Sequence, residues 1–277
     1  MKLPFTKMQA QGNDFVVLDF VHHPHQLRND QYARIADRRF GIGCDQILIV
    51  EPSDQPEIDF RYRIYNADGS EVGQCGNGAR CFVEYVRAKG LTDKRTITVA
   101  TSTSVMQLQS REDGLVTVDM GRARFAPEQI PFVAEKQQAT YELELEEVTV
   151  TIAIANVGNP HAVIVVDDIS TAPVEQIGRQ VESHTQFPER VNVGFMQCVS
   201  RSEINLRVFE RGAGETLACG SGACAAVAAG QELGLLDTKV EVNLTGGGLS
   251  IMREGSDAAI MMTGPANFSF DGEYYLE

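Results

Sequence analysis

The stretch Glu71-Val-Gly-Gln-Cys75-Gly-Asn-Gly-Ala79 returns later in the chain as Glu215-Thr-Leu-Ala-Cys219-Gly-Ser-Gly-Ala223. The two cysteines stand 144 residues apart (219 − 75), about half of a 277-residue chain. The match continues on both sides. Val83, Gly90 and Leu91 meet Val227, Gly234 and Leu235, and Arg63-Ile-Tyr-Asn66 lies opposite Arg207-Val-Phe-Glu210. At a slightly larger offset Gly12-Asn13 meets Gly158-Asn159, Phe15 meets His161, and Gln46 falls opposite Asn192. A period this long implies two similar halves rather than a solenoid of short repeats.

Each half carries several short alternating or apolar strands, and the segments after the cysteines read as helices. The spacing predicts strands at Phe60–Tyr65, Ile97–Ala100 and Leu115–Met120, then at Val148–Ile154, Ala162–Val166, Ile204–Phe209 and Val240–Leu244. It predicts helices at Gly78–Lys89 and Gly222–Leu233, each stopped by the glycine that follows. The second, running Ala223-Cys-Ala-Ala-Val-Ala-Ala, is apolar on nearly every side, which calls for strands wrapped around it. The fold class expected is α/β of the α+β type. It comprises two pseudo-symmetric domains, each a curled, mostly antiparallel sheet around a central helix. The boundaries expected are 1–120, joined by the tail 264–277, and 121–263. The active site is expected in the cleft between them. Gly246-Gly-Gly248 reads as a tight turn between strands, and Glu142–Glu147 as a solvated strand face or turn.

At 43% hydrophobic residues the chain has enough apolar mass for one large core or two ordinary ones. It has no apolar run of membrane-spanning length, and its first residues lack a signal peptide's apolar centre, so a cytoplasmic location is expected. A formal charge of −14 argues against nucleic acid or an acidic membrane as partner, while leaving a small anionic substrate open. The six cysteines are expected to be reduced thiols, and their spacing does not favour a metal site. The His22-His23-Pro24-His25 cluster reads as a solvated loop.

A cysteine set just before two glycines and a helix sits where backbone N–H groups can bias its ionisation and hold an anion such as a carboxylate. Free cysteine titrates at roughly 8.5, close enough to neutrality for modest tuning to give one thiol and one thiolate. Such a pair on opposite faces of a carbon removes a proton on one side and delivers one on the other, inverting the centre. Without an electron sink, an amino-acid α-proton is hard to remove. Exclusion of water and preorganised amides at the carboxylate have to supply the stabilisation.

Three stretches make the reading specific: Gln11-Gly-Asn-Asp-Phe, Gln74-Cys75-Gly-Asn-Gly-Ala-Arg80-Cys, and Glu210-Arg-Gly-Ala-Gly-Glu-Thr-Leu-Ala-Cys219-Gly-Ser-Gly-Ala. In that order they resemble the diaminopimelate epimerases, and the likeness runs from the N-terminus to Thr263-Gly-Pro265. The resemblance implies a cofactor-independent two-base epimerase. Its substrates would be LL- and meso-2,6-diaminopimelate, precursors of lysine and peptidoglycan. It implies Cys75 and Cys219 as the acid–base pair, with His161 and Glu210 tuning the thiols. It assigns substrate binding to Asn13, Gln46, Asn66, Asn159, Asn192 and Arg211, together with the loops Gly76-Asn77 and Gly220-Ser221. Residue chemistry agrees with these roles: Arg211 can grip a distal carboxylate in bidentate fashion, Glu210 can meet an ammonium, and the asparagines offer both donors and acceptors.

The resemblance also implies a homodimer, although Phe270 stands where the family favours a tyrosine near the dimer contact. Three other readings compete. A proline or hydroxyproline racemase also uses two cysteines, but its substrate has little need of Arg211 and the asparagine set. A thiol redox protein would oxidise Cys75 and Cys219, yet the chain has no Cys-x-x-Cys. A catalytically dead amino-acid-binding protein would keep the amide nests without needing both sulfurs. Cys44, Cys81, Cys198 and Cys224 read as ordinary small hydrophobes.

Overall fold

The computed structural model describes residues 2–73 and 75–276, so Gln74 of the first cysteine motif lies outside the described residues. The first elements in chain order are β1 (Lys2–Ala10), β2 (Asn13–Asp19), α1 (Asn29–Ala36), β3 (Gln46–Pro52), β4 (Phe60–Asn66) and β5 (Glu71–Val72). Next come α2 (Gly76–Ala88), β6 (Thr96–Ala100), β7 (Val105–Ser110), β8 (Val116–Asp119) and β9 (Tyr141–Glu144). They are followed by β10 (Thr149–Asn156), β11 (Pro160–Val165), α3 (Val174–Glu182), β12 (Asn192–Ser200), β13 (Glu203–Glu210) and β14 (Gly214–Thr216). The last are α4 (Gly220–Glu232), β15 (Lys239–Leu244), β16 (Gly247–Met252), β17 (Met261–Gly264) and β18 (Asn267–Tyr275). Contacts divide the chain into two compact units. One runs to Asp119 and takes in the segment from Gly264 onward; the other is Met120–Thr263.

The duplicated sequence gives duplicated topology. In the first unit the strands follow one another as β18-β1-β2-β3-β4-β6-β7-β8, and β5 also pairs with β4. In the second the order is β9-β10-β11-β12-β13-β15-β16-β17, with β14 on β13. All these pairings are antiparallel except β2–β3 and β4–β6 in one unit and β11–β12 and β13–β15 in the other. Parallel neighbours need a crossover connection. Each of these four pairs has one that contains a helix: α1, α2, α3 and α4 respectively.

Helices on both faces explain the sequence of the central strands. In β3, Ile47 and Ile49 join Val16, Leu18, Tyr32 and Ile35 in the core beneath α1. Leu48, with Phe15 and Tyr62, packs under the first turn of α2 at Gly78. A strand covered on both sides must be apolar on both, and Ile47 through Val50 are all fully buried. Each such side chain contributes roughly 1.5–3 kcal/mol by leaving water. The second unit repeats the arrangement: Ile164, Val193, Phe195 and Phe209 share a core with Ile177 and Val181 of α3. On the other face α4 lies against β10, β11, β12 and β16, and ten of its thirteen residues are buried.

The motif glutamates turn out to hold this frame. Glu71 binds Arg63 through two hydrogen bonds of 3.0 Å, and Glu215 binds Arg207 in the same way at 2.6 and 2.8 Å. Both pairs clamp the short strand leading to the cysteine onto the strand before it. The central helices begin two residues earlier than their sequence pattern predicts, at Gly76 and Gly220. Their ends agree with it: Gly90 and Gly234 both adopt φ +70°, and Leu91 and Leu235 donate back to Val86 and Gly230. Helices α1 and α3, which the periodicity does not predict, are only 8 and 9 residues long. Thr245-Gly246 makes the two-residue hairpin turn between β15 and β16. Glu142 and Glu144 are the exposed positions of β9, and Glu146 and Glu147 follow in its turn. The His22–His25 segment is a loop. Among the described residues, no helix is long and apolar enough to cross a membrane.

Candidate active site

Because the helices start at Gly76 and Gly220, Cys75 and Cys219 are their N-caps. A cap residue is extended and offers a side-chain acceptor to the orphan N–H groups of the first turn. Here the acceptor is sulfur: Cys75 Sγ takes the Gly78 N–H at 3.3 Å and Cys219 Sγ takes the Gly222 N–H at 3.4 Å. Gly78 has no room for a side chain, since a Cβ there would sit 2.4 Å from the Tyr62 hydroxyl. Among the described residues the backbone N–H groups of Gly220 and Ser221 have no protein partner, which leaves them for an anion.

In the first unit, Asn13, Asn77 and Cys75 come together at the start of α2. Asn77 Nδ2 donates to Asn13 Oδ1 at 3.3 Å, and Asn13 Nδ2 donates to Asp45 Oδ2 at 3.0 Å. Gln46 and Asn66 are register partners on β3 and β4, joined by a 3.0 Å bond from Gln46 Nε2 to Asn66 Oδ1. In the second unit, Cys219, Ser221, His161 and Asn159 form a chain. His161 Nε2 lies 2.9 Å from Asn159 Oδ1 and 3.1 Å from Ser221 Oγ, which is 3.5 Å from Cys219 Sγ. Asn192, the register partner of His161, pins the turn after β13: its Oδ1 accepts from Arg211 N at 2.9 Å and its Nδ2 donates to Pro160 O at 3.1 Å. Arg211 Nη1 donates to Glu189 O at 2.9 Å, which fixes one end of the guanidinium. Asn13 and Asn77 thus gather at the helix start that Cys75 caps, and Asn159, His161 and Ser221 at the one that Cys219 caps, while Gln46 pairs with Asn66 and Asn192 with the turn that carries Arg211.

The electrostatics separate Cys219 from an ordinary helix-cap thiol. Burial, and after it the Glu210 carboxylate, pushes its pKa well above the usual cysteine value, and the Ser221 and Gly222 hydrogen bonds only partly offset this. The helix N-terminus therefore loses to desolvation, and Cys219 is a thiol at neutral pH. Cys75 is less enclosed, being half-buried where Cys219 is 5% exposed. His161 is fully buried, and desolvation, helped by the nearby Arg211 charge, lowers its pKa to about 3. It is a neutral imidazole, and its buried Nδ1 has no hydrogen-bond partner among the described residues. Glu210 accepts from the Thr216 hydroxyl.

Four residues that take part had no role assigned from sequence: Asp45 on Asn13, Thr216 on Glu210, Arg80, and Glu182. Arg80 Nη2 donates to Asn77 Oδ1 at 3.1 Å. Buried Glu182 accepts from Gly212 N at 3.0 Å, steadying the turn that carries Arg211. Thr216 and Arg80 lie inside the quoted motifs. A polar residue within a motif of apolar helix character was the available signal for Arg80; Asp45 and Glu182 carry none.

The family model described as diaminopimelate epimerase matches residues 5–126 and 153–269. A diaminopimelate epimerase of Thioalkalivibrio sulfidiphilus is 56% identical, covering 98% of this chain and 99% of the relative. One from Azoarcus sp. is 55% identical, covering 100% of both. A solved hydroxyproline epimerase from Agrobacterium vitis has the same fold, with a TM-score of 0.72 over 100% of this chain and 93% of that one at 13% identity. With a family model spanning most of both units and full-length relatives above half identity, the chain belongs to the diaminopimelate epimerase family.

Proposed function

We infer that the protein interconverts LL- and meso-2,6-diaminopimelate by a two-base mechanism in which Cys75 and Cys219 act on one α-carbon from opposite faces. The observation that carries the mechanism is the pair of N-cap sulfurs in equivalent frames with unequal surroundings. In the direction in which Cys219, held as a thiol, is the proton donor, Cys75 acts as the base that takes the α-proton. The electron pair left on carbon is stabilised through the substrate carboxylate by N–H donors of the two helix starts. Delivery of the Cys219 proton to the other face completes inversion, leaves Cys75 as thiol and Cys219 as thiolate, and the reverse reaction exchanges the roles. Neutral His161 and the carboxyl group of Glu210 bracket the exchange. Arg211 takes the distal carboxylate on its remaining guanidinium nitrogens, and Asn66, Asn159 and Asn192 fix the distal stereocentre.

The test is solvent exchange. Reduced protein without added cofactor, given LL-diaminopimelate in deuterium oxide, incorporates deuterium at the α-carbon and forms the meso isomer. Cys75→Ala and Cys219→Ala each abolish epimerisation, while Cys81→Ala retains it. Near-normal turnover by either catalytic-cysteine variant would refute the two-base mechanism, and activity on proline instead would favour the racemase reading. We further propose a cytoplasmic homodimer. The reduced sulfurs that a two-base mechanism needs at Cys75 and Cys219 suit a reducing compartment. Strand β18 pairs with β1 and carries exposed Phe268, Phe270 and Tyr275.

A further inference from the structure

Arg80 is 0% exposed in the first turns of α2, and the equivalent position of the repeat is Cys224, so α4 has no arginine at this place. A buried guanidinium has to be met by acceptors. Its Nε donates to Pro265 O at 3.1 Å, and its Nη2 to Gln11 Oε1 at 2.8 Å and Asn77 Oδ1 at 3.1 Å. From Asn77 the bonds run on through Asn13 to Asp45.

The two ends of this chain differ in kind from its middle. A guanidinium only donates and a carboxylate only accepts, whereas an asparagine amide can be turned either way about its last bond. Arg80 forces the Asn77 oxygen inward, so Asn77 must meet Asn13 with its nitrogen. Asn13 must then answer with its oxygen, and its own nitrogen must meet Asp45. At the far end the Asp45 carboxylate is held by Arg38 Nη2 at 2.7 Å and by the Asp14 N–H at 3.0 Å. Both amides are therefore set in one polarity from both directions, and the second Nδ2 hydrogen of half-buried Asn13 remains available as a donor.

We propose that Arg80 is a positioning residue: through the chain Arg80–Asn77–Asn13–Asp45 it sets the polarity of both asparagine amides, so that Asn13 presents its remaining N–H to a substrate carboxylate. This rests on the reading of Asn13 and Asn77 as substrate contacts. In the second unit the same task falls to other groups, His161 on Asn159 and the Arg211 and Pro160 backbone on Asn192. The repeat thus keeps the asparagines and changes what orients them.

The experiment is a double-mutant cycle in the full-length enzyme with Arg80→Lys and Asp45→Asn, reading kcat and KM for LL-diaminopimelate. Lysine keeps the charge but not the fork; asparagine at 45 removes the acceptor-only end at a partly exposed site and leaves the fold intact. Each single variant loses about tenfold or more in kcat/KM, and the double variant loses no more than the worse single, because one broken end already frees the chain. Multiplying effects, or wild-type kcat/KM in Asp45→Asn, would overturn the proposal; the second result is decisive even if Arg80→Lys fails to fold. Asn13→Ala is the control for the underlying reading. If it leaves KM and kcat unchanged, the substrate-contact assignment is wrong. If it is impaired while the cycle is additive, only the role of Arg80 is wrong.

Discussion

Cys75 and Cys219 share a backbone setting down to the acceptor bond from the third helical residue, yet their neighbours diverge at single positions. Asn66 occupies the place of Glu210, and Phe15 that of His161. Since Glu210 helps raise the Cys219 pKa, Glu210→Gln lowers it, which a titration of ultraviolet thiolate absorbance against the Cys219→Ala background reads directly. His161 affects stability rather than only chemistry. Its folded pKa near 3 lies below the ordinary 6.5, so between those values the unfolded chain binds a proton that the native one refuses. The stability is whole above pH 6.5 and is lost as pH falls from there toward 3, by at most roughly 1.4 kcal/mol per pH unit. Urea unfolding at about pH 7 and about pH 5 should therefore show a larger loss for wild type than for His161→Gln. The sequence supplied the identities of Cys75, Cys219, His161 and Glu210, because each sits in or beside a motif. It could not supply the thiol character of Cys219, which depends on burial contributed by segments distant in the chain.

At the level of elements, the glycines after each cysteine are a packing requirement as much as a feature of anion binding. At Gly78 an added methyl would meet the Tyr62 hydroxyl at 2.4 Å and Leu48 Cδ2 at 3.0 Å. Gly78→Ala therefore pushes the first turn of α2 off β3 and β4, costing about 1–3 kcal/mol by overpacking. Activity should fall further than stability, because the same turn carries Cys75 and Asn77; denaturant midpoints and kcat measured together separate the two losses. The long central helices were legible in the sequence from their apolar composition and glycine stops. Their true starts were not, since a cysteine is an uncommon N-cap and Gly-Asn-Gly or Gly-Ser-Gly reads more readily as a turn. Helices α1 and α3 escaped for a different reason. Each is barely two turns long and is held by packing on β3–β4 or β12–β14 rather than by helix propensity.

For the molecule as a whole, the tail is the informative segment. Strand β18 exposes Phe268 at 45%, Phe270 at 55% and Tyr275 at 71% on an edge strand, an arrangement that invites association. If β18 is the dimer contact proposed above, Phe270→Lys yields monomers in sedimentation at concentrations where wild type is dimeric; an unchanged sedimentation coefficient would move the contact elsewhere. The same strand also has a consequence for how the protein is made. In the second unit β9 precedes everything it completes, whereas in the first the matching position beside β1 is filled by β18, the last strand of the chain. A ribosome therefore releases every part of the second unit before it releases the final piece of the first. The unit begun earliest in synthesis is completed after the other, with the partner of β1 and the Pro265 carbonyl that meets Arg80 supplied only once the whole second unit has been made.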